Sequence, residues 1–457
     1  MPKVKPIELD GSTLEGGGQL VRVALALSAI TGLPLHIYNI RANRAPQGRS
    51  KHISKGQSRG GSGKVEGGLK ESHLAALVYL ARQCNAYVEG AEIGSRQVTF
   101  IPMPVLPSVR DVQTVVEDTS TDFESNAIEL RKPGSVWLIL QAILPFLIFG
   151  ESTGMSATRN EQHTNEASAS QETKDDDVIT LKLKGGTNVS QSMSGEYAQH
   201  VLFPTLRRVG LPVIECEILE RGWAGNAPRI GEVHITFARP PAGRFRLPSF
   251  EMNDPGDVER ITLHIIAGDE DSRIKLEQGL RAVIAEHFGL ALPVDLLQAE
   301  DSGDPRRLYV LLVGYTTNGW RLGRDLLGSG RTPKNDAERE KMMGQICQTL
   351  VRDLRSEVKR GGCLDEFLQD QLVIFQALTS GVSTVDGGHW NNHKGKSEQE
   401  CGDEEGSLHT RTVRWVCEKM LQKQGVEFTT GGKCQGIGCN LSLDDAAVDQ
   451  LEALSIY

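Results

Sequence analysis

One pattern limits the folds open to this chain more than any other: an amphipathic apolar segment, a glycine (asparagine in one copy), then a short β-rich run. It occurs as LVRVALALSAITG-LPLHIYNI from Leu20, HLAALVYLARQCN-AYVEGAEIG from His73, HVLFPTLRRVG-LPVIECEIL from His200, LRAVIAEHFG-LALPVDLL from Leu280 and VRWVCEKMLQKQG-VEFTT from Val413. Glycine after the last helical turn supplies a left-handed C-cap, and the β-branched run beyond it reads as a strand packing back on the helix. The chain is therefore expected to be α+β or α/β, built from repeated helix-strand units. Their unequal spacing argues for packed subdomains and against a solenoid.

With 457 residues, a prior of about 150 residues per domain suggests two to four domains, or one large domain with insertions. Fifty Lys and Arg against 59 Asp and Glu leave a net charge of −9, so a nucleic-acid surface would have to gather its cations locally. The longest apolar run, VWLILQAILPFLIFG from Val136 to Gly150, is interrupted by Gln141 and Pro145. It falls short of the ~20 residues that cross a bilayer and reads as a buried helix, with no membrane partner expected. The opening MPKVKPIELDG has no apolar signal core, so a reducing compartment is expected and the eight cysteines read as structural thiols. Cys434 and Cys439 form C-x4-C with no second pair at metal-ligand spacing.

Three segments break the pattern: 49–70, 151–177 and 387–406 are rich in Gly, Ser and charge, and poor in large apolar side chains. Such segments bury too little surface to offset their ordering entropy and are expected to be flexible insertions. Residues 244–318 hold a helix-strand unit of their own, after Pro240 and Pro241 and before a Gly-rich stretch. They are expected to form a small inserted α+β domain, leaving 1–243 and 319–457 as the two parts of a larger one.

Asp10–Arg22, DGSTLEGGGQLVR, is a Gly-rich turn between a short strand and a helix. Three glycines in a row let backbone N–H groups approach a ligand, and the following helix N-terminus favours an anion such as phosphate. It matches neither of the common phosphate-loop spacings and, read alone, serves equally as a tight connection with no ligand. Glu15 at its mouth would repel phosphate unless it held a divalent cation. Arg22, a turn further on, either reaches back to phosphate or lies on a solvated face.

Arg41 and Arg44 stand at the end of the first strand after a helix. Residues 41–70 carry Arg41, Arg44, Arg49, Lys51, Lys55, Arg59, Lys64 and Lys70 against the single acid Glu66, a basic island in an acidic protein. Two arginines at a strand end can clamp phosphates, whereas the lysines fit a solubilising loop. In SLHTRTVRWVCEKM, Ser407 is a plausible N-cap, with Val413, Val416 and Met420 on one apolar stripe. That places His409 in the first turn, where the helix dipole disfavours imidazolium and keeps the ring neutral and nucleophilic. A capping role fits the same position. Asp370 and Gln371 lie at the polar-to-apolar boundary of the helix DEFLQDQLVIFQA.

Taken together and in order, DGSTLEGGGQLVRVALALSAITGLPL, IRANRAPQG, HLAAL, VEGAEIGSRQVTFIP, LKGGTN, DEFLQDQLVIFQAL, LHTRTVRWVCE and CQGIG resemble the RNA 3′-terminal phosphate cyclase family over nearly the whole chain. The resemblance implies an enzyme that uses ATP to turn an RNA 3′-phosphate into a 2′,3′-cyclic phosphodiester. A histidine attacks the α-phosphate of ATP, AMP passes to the RNA end, and the neighbouring 2′-OH displaces it. The nucleophile of the family's H-x-x-T segment falls on His409. Nucleotide and phosphate contacts fall on Glu15, Gln19, Arg22, Arg41, Arg44, His73, Gln141, Asp370 and Gln371, with Glu15 as the carboxylate for Mg or Mn. The implied fold is α+β: a large domain of repeated βαβαββ-type units, similar to enolpyruvyl transferases, with a small inserted domain. The family also implies a nuclear location.

The sequence departs from the family pattern in four places. The family's Gln-His pair reads Ser72-His73, the 49–70 insertion directly precedes it, its Tyr-Pro-x-Gly-Gly-Gly is WAGNAPRIG from Trp223, and its Pro-rich run is SQSMSGEY from Ser190. Two competing readings follow: a cyclase-like protein of ribosomal RNA processing without the nucleophile, and an RNA-binding scaffold. Retention of His409 with Glu15, Arg22, Arg41 and Arg44 favours the cyclase.

Overall fold

A computed structural model of the protein describes residues 5–42, 67–103, 126–150, 178–240, 245–389 and 406–438. The described residues form a mixed α/β fold with four small four-stranded sheets. The first stretch runs β1 (Ile7–Asp10), α1 (Gly18–Thr31), β2 (Leu35–Tyr38), α2 (Glu71–Gln83), β3 (Tyr87–Glu89) and β4 (Val98–Ile101). Its sheet has the order β1-β2-β4-β3, with β1 and β2 parallel and the other pairs antiparallel. The second stretch runs β5 (Ala127–Glu129), α3 (Val136–Phe149), β6 (Val178–Gly185), α4 (Gly195–Tyr197), α5 (Phe203–Arg208), β7 (Glu215–Glu220) and β8 (Gly231–Ala238). A π-helical turn at Ala198–Leu202 makes α4 and α5 one continuous helix, and the sheet order is β5-β6-β8-β7.

Beyond β9 (Glu251–Met252) the chain runs through β10 (Val258–Ala267), α6 (Glu270–Phe288), β11 (Val294–Asp301), β12 (Leu308–Thr316), β13 (Arg321–Leu327) and α7 (Asp336–Arg360). It then resumes with α8 (Glu366–Leu378), β14 (Ser380–Val385), α9 (Leu408–Leu421), β15 (Glu427–Thr429) and β16 (Lys433–Ile437). β9 joins that last group in a sheet of order β9-β14-β16-β15, while the strands between them form their own, β11-β10-β12-β13.

The helix-to-strand junctions follow the chemistry of the sequence. Gly32 closes α1 at φ 70° and ψ 2°, a left-handed cap from which the chain turns into β2. At the matching junction after α2, Asn85 takes φ 49°, a conformation asparagine tolerates better than other side chains. The apolar run becomes α3, buried on nearly every face and packed on α1 and α2. Among the described residues, no helix is long and apolar enough to cross a membrane.

One cluster of buried side chains joins the first, second and last stretches, from Leu9 through Trp137 and Leu183 to Leu421. A second, from Ile261 to Leu354, lies between the inserted sheet and α6 and α7. The elements sharing it continue past residue 318 to Arg360, because the Gly-rich stretch at Gly319 is the hairpin turn between β12 and β13, closed by Gly319 N–H on Thr316 O at 2.7 Å.

Of the segments expected to be flexible, 49–66, 151–177 and 390–405 lie outside the described residues. The edges that are described are packed. Leu69 is 2% exposed and Gly68 N–H donates to Ile40 O at 2.8 Å, so residues 67–70 belong to the folded body. His389 N–H bonds Arg360 O at 2.9 Å. Both edges differ from the expectation because composition averages over a segment, whereas Leu69 alone is enough to anchor its end.

Candidate active site

The starts of six helices converge on one cleft of about 1640 Å³. Gly18 opens α1, Glu71 to His73 form the first turn of α2, Ser135 caps α3, Tyr197 ends the turn that starts α4, Glu366 and Phe367 begin α8, and His409 is the second residue of α9. Helix N-termini present unsatisfied N–H groups and partial positive charge, so their convergence gives an anion-attracting cleft in a protein whose net charge is −9. Four of these ends are closed by side chains: Ser135 accepts from Leu138 N–H, Ser194 from Tyr197 N–H, Asp365 from Phe367 and Leu368 N–H, and Ser407 from Thr410 N–H. α1 starts at Gly17 with no side-chain cap, which leaves its N–H groups to a ligand.

The triple glycine is a matter of space. A Cβ on Gly17 would lie 2.1 Å from Glu15 Oε1, and one on Gly18 would lie 2.1 Å from His73 Nε2 and 2.7 Å from Arg22 Nη1. The bend before them turns through left-handed backbone at Leu14 (φ 53°) and Gly16 (φ 59°).

His409 Nδ1 lies 2.7 Å from Gln19 Oε1 and 3.6 Å from Glu15 Oε2. Gln19 Nε2 donates to Asp370 Oδ2, which fixes the amide with its carbonyl toward the imidazole. Two acceptors therefore face Nδ1, the proton resides there, and Nε2 bears the lone pair. The imidazole is half exposed (54%), while the Glu15 side chain beside it is buried (8%). Glu15 N–H in turn bonds Thr412 Oγ1 at 3.2 Å, tying the Gly-rich bend to the first turns of α9. Burial raises the Asp370 carboxyl above its ordinary value, opposed by hydrogen bonds from Gln371 and Gln19 and by the charge of Arg22.

A second group lies deeper. Arg22 Nε donates to Gln141 Oε1 at 2.6 Å, and Arg22 Nη1 lies 3.4 Å from His73 Nε2. His73 Nδ1 accepts from Lys70 N–H at 3.1 Å, so a neutral His73 carries its proton on Nε2. Two donors, His73 Nε2–H and Arg22 Nη1–H, then face the same spot, an arrangement suited to an oxyanion between them. Burial, followed by the charges of Arg22, Arg41 and Lys70, holds the His73 imidazole well below its usual range, and burial lowers the Arg22 guanidinium to about 10. Arg41 takes φ 55°, a conformation uncommon outside glycine, and its Nη1 donates to Gly68 O at 3.4 Å.

The cleft thus brings together Glu15, Gln19, Arg22, Arg41, His73, Gln141, Asp370, Gln371 and His409. Arg44 lies outside the described residues. His73 lines the cleft at 3% exposure despite the preceding insertion. Of the divergent segments, Ser190 and Ser192 line the cleft, whereas Trp223 is buried in a turn closed by its own two backbone bonds with Arg229.

Sequence reasoning misses Arg96, Lys132 and Phe367, which also line the cleft. Arg96 lies inside a family-like segment, but nothing in its spacing marks it, and Phe367 reads as one more apolar residue of an amphipathic helix. An exposed aromatic face in such a cleft is a surface on which a base stacks. Among the described residues no group of three or more His, Cys, Asp or Glu is placed to hold a metal ion. A single carboxylate such as Glu15 nonetheless suits magnesium, which keeps most of its shell as water and substrate phosphate.

A family model described as RNA 3′-terminal phosphate cyclase matches residues 13–427. The chain is 30% identical over 379 residues to a Pyrococcus furiosus protein named RNA 3′-terminal phosphate cyclase, covering 83% of this chain and 88% of that one. A Caldivirga maquilingensis protein of the same name is 30% identical over 385 residues, covering 82% and 86%. A third, from Pyrococcus abyssi, is 27% identical over 417 residues, covering 91% and 94%.

Proposed function

The chain belongs to the RNA 3′-terminal phosphate cyclase family, and from that premise we propose that it converts an RNA 3′-phosphate to a 2′,3′-cyclic phosphodiester with ATP, through AMP carried on His409. The observation that carries the reading is the 2.7 Å approach of His409 Nδ1 to Gln19 Oε1, which assigns the proton to Nδ1 and leaves the Nε2 lone pair as the nucleophile.

In the first step the Nε2 lone pair forms a bond to the α-phosphorus of ATP and the bond to pyrophosphate breaks. Dividing one transfer into two through a nitrogen nucleophile is ordinary covalent catalysis. In the second, a 3′-phosphate oxygen of the RNA displaces the imidazole and takes the AMP. In the third, the RNA 2′-oxygen attacks the activated phosphorus, AMP leaves, and the 2′-hydroxyl proton is released. The products are AMP, pyrophosphate and the cyclic RNA end.

The chain's own residues take distinct parts. Gln19 and Asp370 hold the imidazole in one tautomer. Glu15, beside Nδ1, steadies the positive charge that builds on the ring as the phosphorus bond forms. Arg22 and Arg41 neutralise transferring phosphates, with Gln141 orienting Arg22, and the neutral His73 donates a hydrogen bond from Nε2. The uncapped start of α1 receives phosphate oxygens. Glu15 would also hold a divalent cation, which when bound supplies charge neutralisation to the phosphates.

Three stretches with one strand order, in which the third strand of the chain takes the sheet edge and the fourth lies inside it, support reading the large domain as repeated βαβαββ units of the enolpyruvyl-transferase kind. The separate core of residues 261–354 supports reading the segment between β9 and α8 as an inserted domain. The test is incubation with α-labelled ATP and magnesium or manganese. Label is expected on the wild-type protein and absent from His409→Ala, and an unlabelled, folded wild type would refute the reading.

A further inference from the structure

Glu15 and Thr412 are 397 positions apart in the chain, and a hydrogen bond joins them. Within the Gly-rich bend, Thr13 N–H bonds Asp10 O at 3.0 Å and Gly16 N–H bonds Thr13 O at 2.9 Å, so those bonds close on the bend itself. The N–H of Glu15, between them, crosses to α9 and donates to Thr412 Oγ1 at 3.2 Å. Thr412 is fully buried, and its hydroxyl donates its single proton to Leu408 O at 2.7 Å. A hydroxyl whose proton is committed to its own helix presents only lone pairs to a neighbour, so toward Glu15 it acts solely as an acceptor.

Thr412 stands three positions after His409, a spacing that sets two side chains on neighbouring turns of one helical face. The residue whose amide it holds is also the one whose carboxylate faces the imidazole, with Glu15 Oε2 3.6 Å from His409 Nδ1. Leu14, just before, takes φ 53°, a left-handed backbone that a branched side chain keeps only where its surroundings hold it there. The first turn of α9 is anchored separately, by Thr410 Oγ1 donating to Gln369 Oε1 of α8 at 3.4 Å. Two neighbouring threonines thus fasten the turn that carries the nucleophile, Thr410 to α8 and Thr412 to the bend. The donors aimed at phosphate are set differently: Arg22 is oriented by Gln141 and His73 by Lys70 N–H, and neither bond passes through α9.

We propose that Thr412 is a positioning residue whose hydroxyl sets where the Glu15 carboxylate stands beside His409, so that it governs the rate of adenylyl transfer and not the affinity for nucleotide. This rests on the adenylylation reading above. As the Nε2 lone pair bonds to phosphorus with the proton kept on Nδ1, the ring becomes cationic. A buried carboxylate at fixed range stabilises that state more than it stabilises the neutral ring. Nucleotide bound before the transfer meets a neutral imidazole and gains nothing from the placement. Thr412→Val keeps the shape of the side chain and removes the acceptor, which frees the bend to shift against α9.

The experiment measures single-turnover labelling of the full-length protein by α-labelled ATP with magnesium in wild type, Thr412→Val and Thr412→Ser. Thr412→Val is expected to slow the rate constant at saturating ATP by about 10- to 100-fold. Its ATP affinity, titrated calorimetrically in a His409→Ala background where no transfer occurs, is expected to stay within about twofold of the His409→Ala protein alone. Thr412→Ser restores the acceptor and is expected to recover the rate constant to within about threefold of wild type. A partly unfolded variant lowers the amount of protein labelled but not the rate constant of the folded fraction, so a merely structural defect does not imitate this pattern. A wild-type rate constant in Thr412→Val, a loss of affinity that matches the loss of rate, or a Thr412→Ser protein as slow as Thr412→Val overturns this assignment alone. Absence of label from the wild type overturns the adenylylation reading, and this one with it.

Discussion

His409 donates its Nδ1 proton to Gln19 across 2.7 Å, joining residues 390 positions apart in the chain. The bond makes Gln19 a positioning residue, since its other end is fixed by Asp370. Gln19→Ala should lower the rate of protein labelling by ~10- to 100-fold, because the imidazole is then free to carry its proton on either nitrogen. His409→Ala should abolish labelling yet change stability by less than ~0.5 kcal/mol, as a half-exposed side chain packs little core. Single-turnover labelling and thermal melts check both, and a melt lowered by many degrees in His409→Ala would mark the histidine as structural.

Gly18→Ala places a methyl group where His73 and Arg22 now lie. Displacing those two donors should weaken nucleotide binding at least ~10-fold, at a stability cost of ~1–3 kcal/mol typical of overpacking. Isothermal titration with ATP measures it, and unchanged affinity would show that phosphate does not sit between His73 and Arg22.

Arg96 and Lys132 line the same cleft as His409. If they meet the RNA backbone, Arg96→Ala and Lys132→Ala should each lower the salt dependence of RNA binding by about one unit of the log-log slope. Filter binding of a 3′-phosphorylated oligonucleotide across salt concentrations decides it, and slopes equal to wild type would place the strand elsewhere.

His264 on β10 is fully buried, 4.0 Å ring to ring from His200 on the helix of the second stretch. Burial, then the neighbouring His200, lowers its imidazole from 6.5 to about 4. The unfolded chain therefore binds the proton more readily, so stability from this site is present above about 6.5 and is lost as the pH falls toward 4. Between pH 7 and pH 5 the loss is on the order of 1–2 kcal/mol. His264→Asn should show a correspondingly shallower fall in denaturant midpoint over that range, and parallel curves for the two proteins would contradict the shift.

Much of this site can be read along the chain, and the reason is local. Ser407 before an apolar stripe is enough to place His409 in a first helical turn, and three glycines after a strand are enough to mark a bend where the backbone is approached closely. What spacing does not carry is partnership. Neither Gln19 nor Asp370 declares that it will meet His409, because that meeting depends on α1, α8 and α9 packing side by side. Asp325 is silent for a similar reason: in RLGRDLL it reads as one charge on an ordinary strand, and only the docking of β13 against α4 and α8 brings it to the cleft. The extent of the second core is obscured by Gly319, which reads as a break after residue 318 but closes the hairpin between β12 and β13.

The convergence of six helix starts has a consequence for how the protein comes into being. The walls of the cleft are contributed by segments from Gly18 to His409, so no partial chain possesses it. The cleft is therefore complete only once α9 is seated against α1 and α8, and its parts cannot be assembled one segment at a time.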